Sequence, residues 1–545
     1  MSAPRPSIPF YLLLLLVAGL VLSWWLAAWH LPPAEDATML FRYSENLVDT
    51  GRISYNPGGP RAEGATDFLW MLAIAGGYAL GLSSFQAALL LSLGGLLGTL
   101  WVQYRLAQGS LGRLTLLWLG WLLASQLWAA AQGFSVLFWG FSLWLGIYFW
   151  EKKDWRGLYL SGLLMALIRP DGLLIAAPLA LGSLWLHPGQ RRANLRLLLR
   201  WAILPGLAYF AWRVWYFGQW WPLPFLVKTV ATPDRVGFLV PGSLRYLLIY
   251  GLRYLGPLLL IVALGHRHLR QDRTAWVWLL SYLLLPSLLY LSSTLEQNVA
   301  NRLVLPLLVG ALALANRYWR PHWGNRLSLA LFLLLSLAYC GTYGLRALET
   351  RTRQIRSLAQ QLHPISGHRM AITEAGHLAY YSGWTALDLW GLNSPETARQ
   401  VADDSLLGAF DPHLIVFQPD QIHPDSMMMD LARSYPITKT WNHMVFSVLK
   451  FSQQSGNYEI WRVPFALPPQ PPFDVGDQLW LGGQKLLAAY DLWRGRAVTP
   501  YQQKDWYLLD VHAPAYGRIR QVLIQHQAYR YAAPGFPADS MRMLH

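Results

Sequence analysis

Residues 35–70, EDATMLFRYSENLVDTGRISYNPGGPRAEGATDFLW, form a polar, acid-bearing stretch directly behind the first apolar segment of a chain that is otherwise strongly hydrophobic. The segment before it, from about Ile8 to Leu31, has no Asp, Glu, Lys or Arg and is long enough to cross a bilayer, for which about 20 residues suffice. Glu35 and Asp36 are therefore predicted within a turn or two of the lipid headgroups, where a lipid-linked substrate would present its own head. Adjacent carboxylates at such a place suit proton abstraction. The same acids would equally cap a juxtamembrane helix, because acids are favoured at helix N-termini.

Outward from this stretch, composition gives the class. Charged residues make up 13% of the chain, about half the share of a soluble globular protein, while aromatics reach 14% and Trp numbers 29. This reads as an integral membrane protein, its first segment an uncleaved anchor rather than a signal peptide, since the apolar run exceeds the usual ~7–15 residues. The Trp residues are expected mostly in interfacial belts. A net charge of +15 is compatible with a nucleic-acid partner, but the arginines cluster in short loops and no base-reading module is visible; topology and anionic lipid account for them better. The single cysteine, Cys340, excludes an internal disulfide framework.

Apolar runs bounded by charges predict about eleven crossings, near 9–31, 66–82, 84–104, 113–131, 134–150, 157–186, 198–217, 245–265, 275–294, 303–317 and 327–347. Three arginine-rich loops, at Arg191, Arg192 and Arg196, at Arg267, Arg270 and Arg273, and at Arg317, Arg320 and Arg326, fall on one side by this count, the cytoplasmic one by the positive-inside rule. The Glu35 loop and everything after about 348 would then be external. Two basic loops dissent: Arg105 with Arg113, and Lys152, Lys153 with Arg156. A re-entrant segment at Arg169, Pro170 and Asp171, or a miscounted crossing, would reconcile them.

The expected domains are a transmembrane module over 1–348 with its first external loop at 32–66, an external α/β domain over 349–463, and a Pro-rich connector with a small β-rich extension over 464–545. Within the α/β domain, Arg369–Thr373, His413–Phe417 and Tyr458–Val463 read as strands and Pro395 to Leu407 as helical. The run from Pro464 to Pro472 reads as a stiff connector, and Tyr507–Val511 and Val522–Ile524 as strand-like pieces of the extension.

Several strings also resemble one family. Glu35-Asp36, Phe41-Arg42-Tyr43, Tyr55-Asn56-Pro57-Gly58, Glu63-Gly64 and Phe68-Leu69-Trp70 are similar to the first external loop of the GT-C membrane glycosyltransferases, especially those that place terminal arabinofuranose on cell-wall arabinan. Leu167-Ile168-Arg169-Pro170-Asp171-Gly172, then Trp212-Arg213, Tyr216-Phe217-Gly218, Pro222 and Lys228, then Glu374-Ala375-Gly376, Tyr380-Tyr381-Ser382-Gly383 and Asp388-Leu389-Trp390-Gly391-Leu392-Asn393 continue the likeness in order. Three departures stand out. Glu35 replaces the family's first aspartate, Gly133-Phe134-Ser135 matches a Gly-Leu-Glu only weakly, and Leu223-Pro224 replaces an Asn-Thr.

The resemblance implies an inverting glycosyltransferase of the bacterial inner membrane with an external C-terminal domain. It would take arabinofuranose from decaprenyl or undecaprenyl phosphate and pass it to a glycan, lipid or protein acceptor. Asp36 is the first choice for the base and Glu35 the second. Arg42, Arg213, Lys228 and Arg302 are candidates for the donor phosphate, whose developing charge needs fixed cations; interfacial snorkelling of long cations is the plain alternative. Tyr43, Asn56, Glu63, Arg169, Asp171, Trp221 and Asp388 are candidates for substrate contact or for structure. Arg169 and Asp171 would equally be a local pair at a helix break, and Asp388 a turn-stabilising aspartate. No cofactor is called for, and the acids leave a divalent cation open. The histidines, among them His363, His368 and His377, show no zinc-ligand spacing, and no nucleotide-binding loop is visible. Two rival readings are a transporter or flippase of lipid-linked sugars, for which no internal repeat is found, and an oligosaccharide or O-antigen ligase.

Overall fold

The computed structural model describes residues 7–229, 241–265, 269–292, 298–347, 369–372 and 375–399. Beyond these it describes a few further positions between 359 and 410, and the backbones of the strands from residue 414 onward. The bundle begins with α1 (Ile8–His30), followed by α2 (Glu35–Thr50), α3 (Phe68–Ala79), α4 (Ser84–Ala107), α5 (Leu111–Leu122), α6 (Gln126–Ala131), α7 (Val136–Lys152), α8 (Trp155–Ile168) and α9 (Leu173–Leu186). It continues with α10 (Pro188–Phe217), the short α11 (Leu223–Thr229), α12 (Gly242–Leu264), α13 (Arg273–Leu291), α14 (Val299–Tyr318) and α15 (Trp323–Ala347). Seven of these, α1, α4, α10, α12, α13, α14 and α15, are long and apolar enough to cross a membrane. The shorter α5 continued by α6, over residues 111–131, and α7, α8 and α9 complete the bundle by running between its two ends.

Two adjustments to the sequence reading resolve its dissenting loops. The apolar run at 66–82 is not a crossing. At 12 residues α3 is about 18 Å long, against about 30 Å of hydrocarbon, and it lies along α2. Ser44 donates to the Met71 carbonyl at 3.0 Å, and Tyr78 to Asp49 at 3.4 Å. The chain enters the bundle only at α4, where Ser83 and Gln86 form a reciprocal capping box and Ser84 donates to Glu45 of α2 at 2.6 Å. Conversely, 157–186 is two antiparallel helices. The Tyr159 and Ser183 hydroxyls meet at 2.7 Å and Trp155 donates to Gln190 at 3.1 Å, so α9 returns alongside α8 after a turn at Arg169–Asp171. The two errors cancel after residue 186 and invert only the elements between them. With both corrected, the loops at 105–113, 152–156, 191–196, 270–273 and 317–326 share one end, where Arg317 pairs with Glu151 and Asp272.

Five tryptophans depart from the belt expectation. Trp121, Trp139, Trp144 and Trp278 are fully buried in the bundle and Trp70 beside it, because large rings fill the gaps between helices where small residues such as Gly140, against Trp121, let them in.

At the opposite end from the basic loops lies an α/β layer: β1 (Arg369–Ile372), α16 (His377–Ser382), β2 (Thr385–Asp388), α17 (Pro395–Arg399), β3 (Leu414–Phe417), β4 (Met444–Ser452) and β5 (Asn457–Phe465). The sheet order is β2-β1-β3-β4-β5, parallel except for the antiparallel β4–β5 pair. Strands β2 and β4 were not read from the sequence, although Ser382-Gly383 stands before β2 and Ser455-Gly456 after β4. Pro464, expected to open the connector, pairs with Val445 inside β5; as the edge strand of the sheet, β5 can spare a donor there. A small hairpin, β6 (Val511–Ala513) with β7 (Arg518–Arg520), follows. Residues 400–405 and 407 of the expected helix, most of the connector, residues 507–510 and the 522–524 piece lie outside the described residues.

Candidate active site

The site is built where α2 lies between the bundle and the 375–394 segment. Helix α2 is amphipathic: Phe41 and Tyr43 are buried, with Arg42 buried between them. Ala34 fixes the entry by donating to the Gln132 carbonyl at 2.8 Å, and Gly51 ends the helix in the left-handed conformation at φ 67°, which glycine adopts without penalty.

The adjacent acids part company. Glu35 turns to the α/β layer: its Oε1 accepts the Gly376 N–H at 2.7 Å, and its Oε2 faces His377 Nδ1 in an ion pair. The other ring nitrogen of His377 bonds the Pro33 carbonyl at 2.8 Å. Burial alone would lower the His377 pKa, but the facing Glu35 carboxylate and the Pro33 carbonyl hold it above the ordinary value. Asp36 turns to the bundle and pairs with Arg302, whose guanidinium lies 3.8 Å over the Phe134 ring. The Asp36 side chain keeps 30% of its exposure, so it is the accessible member of the pair.

Arg302 is held by an unusual backbone. Ala300 and Asn301, immediately before it, are both left-handed, at φ 50° and 60°, a conformation costing non-glycine residues about 1 kcal/mol or more. It is fixed by Ser125 donating to the Ala300 carbonyl at 3.1 Å, Asn301 to Ser125 at 2.9 Å and Leu303 N–H to Asn298 at 2.8 Å. Near by, Arg169 and Asp171 form a bidentate pair at 3.0 and 3.1 Å, with Arg169 4.6 Å from the Trp139 ring and Tyr290 donating to Asp171 at 3.3 Å. Asp67 completes the cluster. Half-buried, it accepts from Ser135 at 2.5 Å, and desolvation raises its pKa against the pull of Arg169, Ser135 and Arg302. The sequence reading found a serine where the resemblance led to an acid; the structure supplies a carboxylate at that serine from the end of the first loop.

Other candidates are taken up by structure. Arg42 donates to the carbonyls of Tyr55 (2.6 Å), Ala379 (2.5 Å) and Trp384 (2.7 Å) and to Asn56 (3.0 Å), so it is a tie between layers and not a phosphate ligand. Asn56 meets Ala386 through both amide groups, at 2.8 and 2.9 Å, in the manner of a strand. Tyr43 accepts from Gly64 N–H at 3.2 Å, and a Cβ on Gly64 would fall 2.4 Å from both Tyr43 Oη and Asn393 Oδ1. Arg213 donates to Glu63 at 2.5 Å and to the Trp220 carbonyl at 2.9 Å. Burial raises the Glu63 pKa despite that partner. Asp388 accepts from Trp390 N–H, Asn393 N–H and the Asn393 amide at 2.8–2.9 Å; burial outweighs these bonds and pushes its pKa up to about 6. Its oxygens organise their own turn. Trp221 is exposed and stacks on Phe225 at 4.9 Å. Lys228 sits on α11, with its side chain outside the described residues, as are Glu374, His363 and His368.

Asp67, Ser135 and His377 were missed as site residues. Asp67 and Ser135 carry no pattern of their own, and His377 was set aside with the surface histidines; its position beside Gly376 at a helix start was the available signal. Among the described residues no group of three His, Cys, Asp or Glu side chains is placed to hold a metal ion.

Comparison with known proteins comes to three findings. Residues 345–461 match a family model described as a domain of unknown function, DUF8728. No curated protein sequence matches the chain. Two crystal structures of ArnT from Cupriavidus metallidurans are similar in fold. One, bound to undecaprenyl phosphate, has a TM-score of 0.52 at 14% identity over 74% of this chain and 91% of that one. The other, in the apo state, has 0.55 at 14% over 81% and 96%. The chain is thus a polytopic helical membrane protein of the GT-C fold class.

Proposed function

We propose that this chain is an inverting membrane glycosyltransferase that moves one sugar, arabinofuranose by the sequence resemblance, from a polyprenyl-phosphate donor to a hydroxyl of a glycan or glycoconjugate. The observation that carries the reading is the partly exposed Asp36 paired with Arg302, at the end of the bundle away from the basic loops. By the positive-inside rule that end faces outward, which supports a bacterial inner-membrane enzyme with an external C-terminal domain. The fold neighbour described as bound to undecaprenyl phosphate supports the donor class.

In the proposed reaction the acceptor oxygen attacks the anomeric carbon while Asp36 takes its proton. The bond from that carbon to the phosphate oxygen breaks, the lipid phosphate leaves with the electron pair, and one displacement inverts the centre. Arg302 serves both states. Without donor it balances Asp36; a bound phosphate competes for the same guanidinium, which releases Asp36 to act as base.

The test is transfer from synthetic polyprenyl-phosphate sugars by the full chain in lipid vesicles, read as release of free polyprenyl phosphate. Asp36→Asn should lower turnover by about 10²–10⁴-fold, the usual worth of a general base, while the protein still inserts. Wild-type-like turnover in that variant would remove the base, and translocation without phosphate release would replace the reaction by transport.

A further inference from the structure

Why the first acid of the pair is withdrawn from the bundle is answered by His377. Its ring is buried, lies parallel to Tyr381 with centroids 6.0 Å apart, and stands between two acceptors: the Pro33 carbonyl at Nε2 and the Glu35 carboxylate at Nδ1. A carbonyl can only accept, so Nε2 carries a proton. A carboxylate at the other nitrogen selects a proton there too. The charged groups around the ring are Glu35 and Asp36 on α2, with Arg302 beyond Asp36; its own helix offers the Tyr381 ring.

We propose that His377 is a positioning residue: as an imidazolium it takes up Glu35, fastens the first turn of α2 to residues 375–381, and leaves Asp36 as the carboxylate turned to Arg302. The direction of the pH dependence follows. A histidine whose pKa is raised in the folded chain contributes stability that is complete below the ordinary histidine value and is lost as pH rises through the raised one, so the latch opens on the alkaline side. The effect on transfer rests on the function proposed above; the latch does not.

Hydrogen exchange of the full chain in lipid nanodiscs, corrected for the intrinsic pH dependence of exchange, reads the latch without any substrate. Amides of residues 35–39 and 375–381 should be protected at about pH 6, lose up to roughly tenfold in protection for each unit between the ordinary histidine pKa and the raised one, and level off above it. In Glu35→Gln, which keeps an acceptor for Gly376, the loss should move to lower pH; in His377→Gln protection should be low and independent of pH. Equal wild-type protection from about pH 6 to about pH 9.5, or a loss at the same pH in His377→Gln, overturns the proposal. The alkaline limb of the transfer rate should share the exchange midpoint in wild type and move with it in Glu35→Gln. A chain that shows the exchange behaviour and transfers no sugar keeps the latch and loses the reaction; transfer with pH-independent exchange does the reverse.

Discussion

A guanidinium serves a ligand only with the donors its own protein leaves unspent, and on that criterion the arginines of the first reading separate. Arg42 gives its donors to three carbonyls and an amide oxygen, all within the protein. Arg42→Met should therefore act as a folding lesion, leaving several buried acceptors unmet at about 1–3 kcal/mol each; the check is a lowered melting temperature whether or not donor lipid is present. Arg302 has its one ion pair among the described residues with the partly exposed Asp36. Arg302→Gln should fold and lose transfer, by about 10²-fold if one fixed charge on the leaving phosphate goes, in the assay used for Asp36→Asn. Asp388 behaves like Arg42. Asp388→Asn would turn an amide N–H₂ toward the Trp390 or Asn393 donors, so a loss of stability of about 1–3 kcal/mol is expected, seen as earlier thermal unfolding. Type and spacing made all of these residues candidates, and their separation came from which acceptors folding put in front of each.

At the scale of elements, α3 decides the orientation of the helices from α4 to α8. A reader of hydropathy takes FLWMLAIAGGYA for a crossing, because an apolar helix laid along α2 and a short spanning helix have the same composition. Length is the only local clue, and α5 is as short. The distinguishing contacts are Tyr78 with Asp49 and Ser84 with Glu45, partners more than 25 residues apart in sequence. The arrangement predicts a labelling result. In a Cys340→Ser background, a cysteine at the exposed Leu80 should react with a membrane-impermeant thiol reagent from the same side as one at Val48. A cysteine at Gln108 should react from the other. Labelling of Leu80→Cys from the Gln108 side would restore the crossing at α3.

Among the described residues the first loop supplies most of the hydrogen bonds that join the bundle to the α/β layer. The bundle and the α/β layer meet through groups that each side buries only because the other is present: Glu35 with Gly376 and His377, Tyr55 with the Ala375 carbonyl, Arg42 with Ala379 and Trp384, and Asn56 with Ala386. Ending the chain after residue 347 should leave a protein that still inserts but whose residues 35–66 are cleaved by added protease and which transfers nothing. Protease resistance equal to that of the full chain would show that the loop folds without the second layer.

By itself the sequence determined that the chain is a polytopic helical membrane protein, that an acid-bearing stretch follows the first apolar helix, and that an α/β layer follows the bundle, because apolar length, local charge and strand alternation act over neighbouring residues. Only the tertiary structure decided which apolar runs enter the bundle, which arginine pairs with a partly exposed acid, and which of two adjacent carboxylates faces the bundle. Those outcomes depend on pairings such as Asp36 with Arg302, 266 residues away, and Glu35 with Gly376, 341 away. Hydrogen bonds and ion pairs act over a few ångströms in space, and no local pattern encodes which distant groups will arrive within that reach.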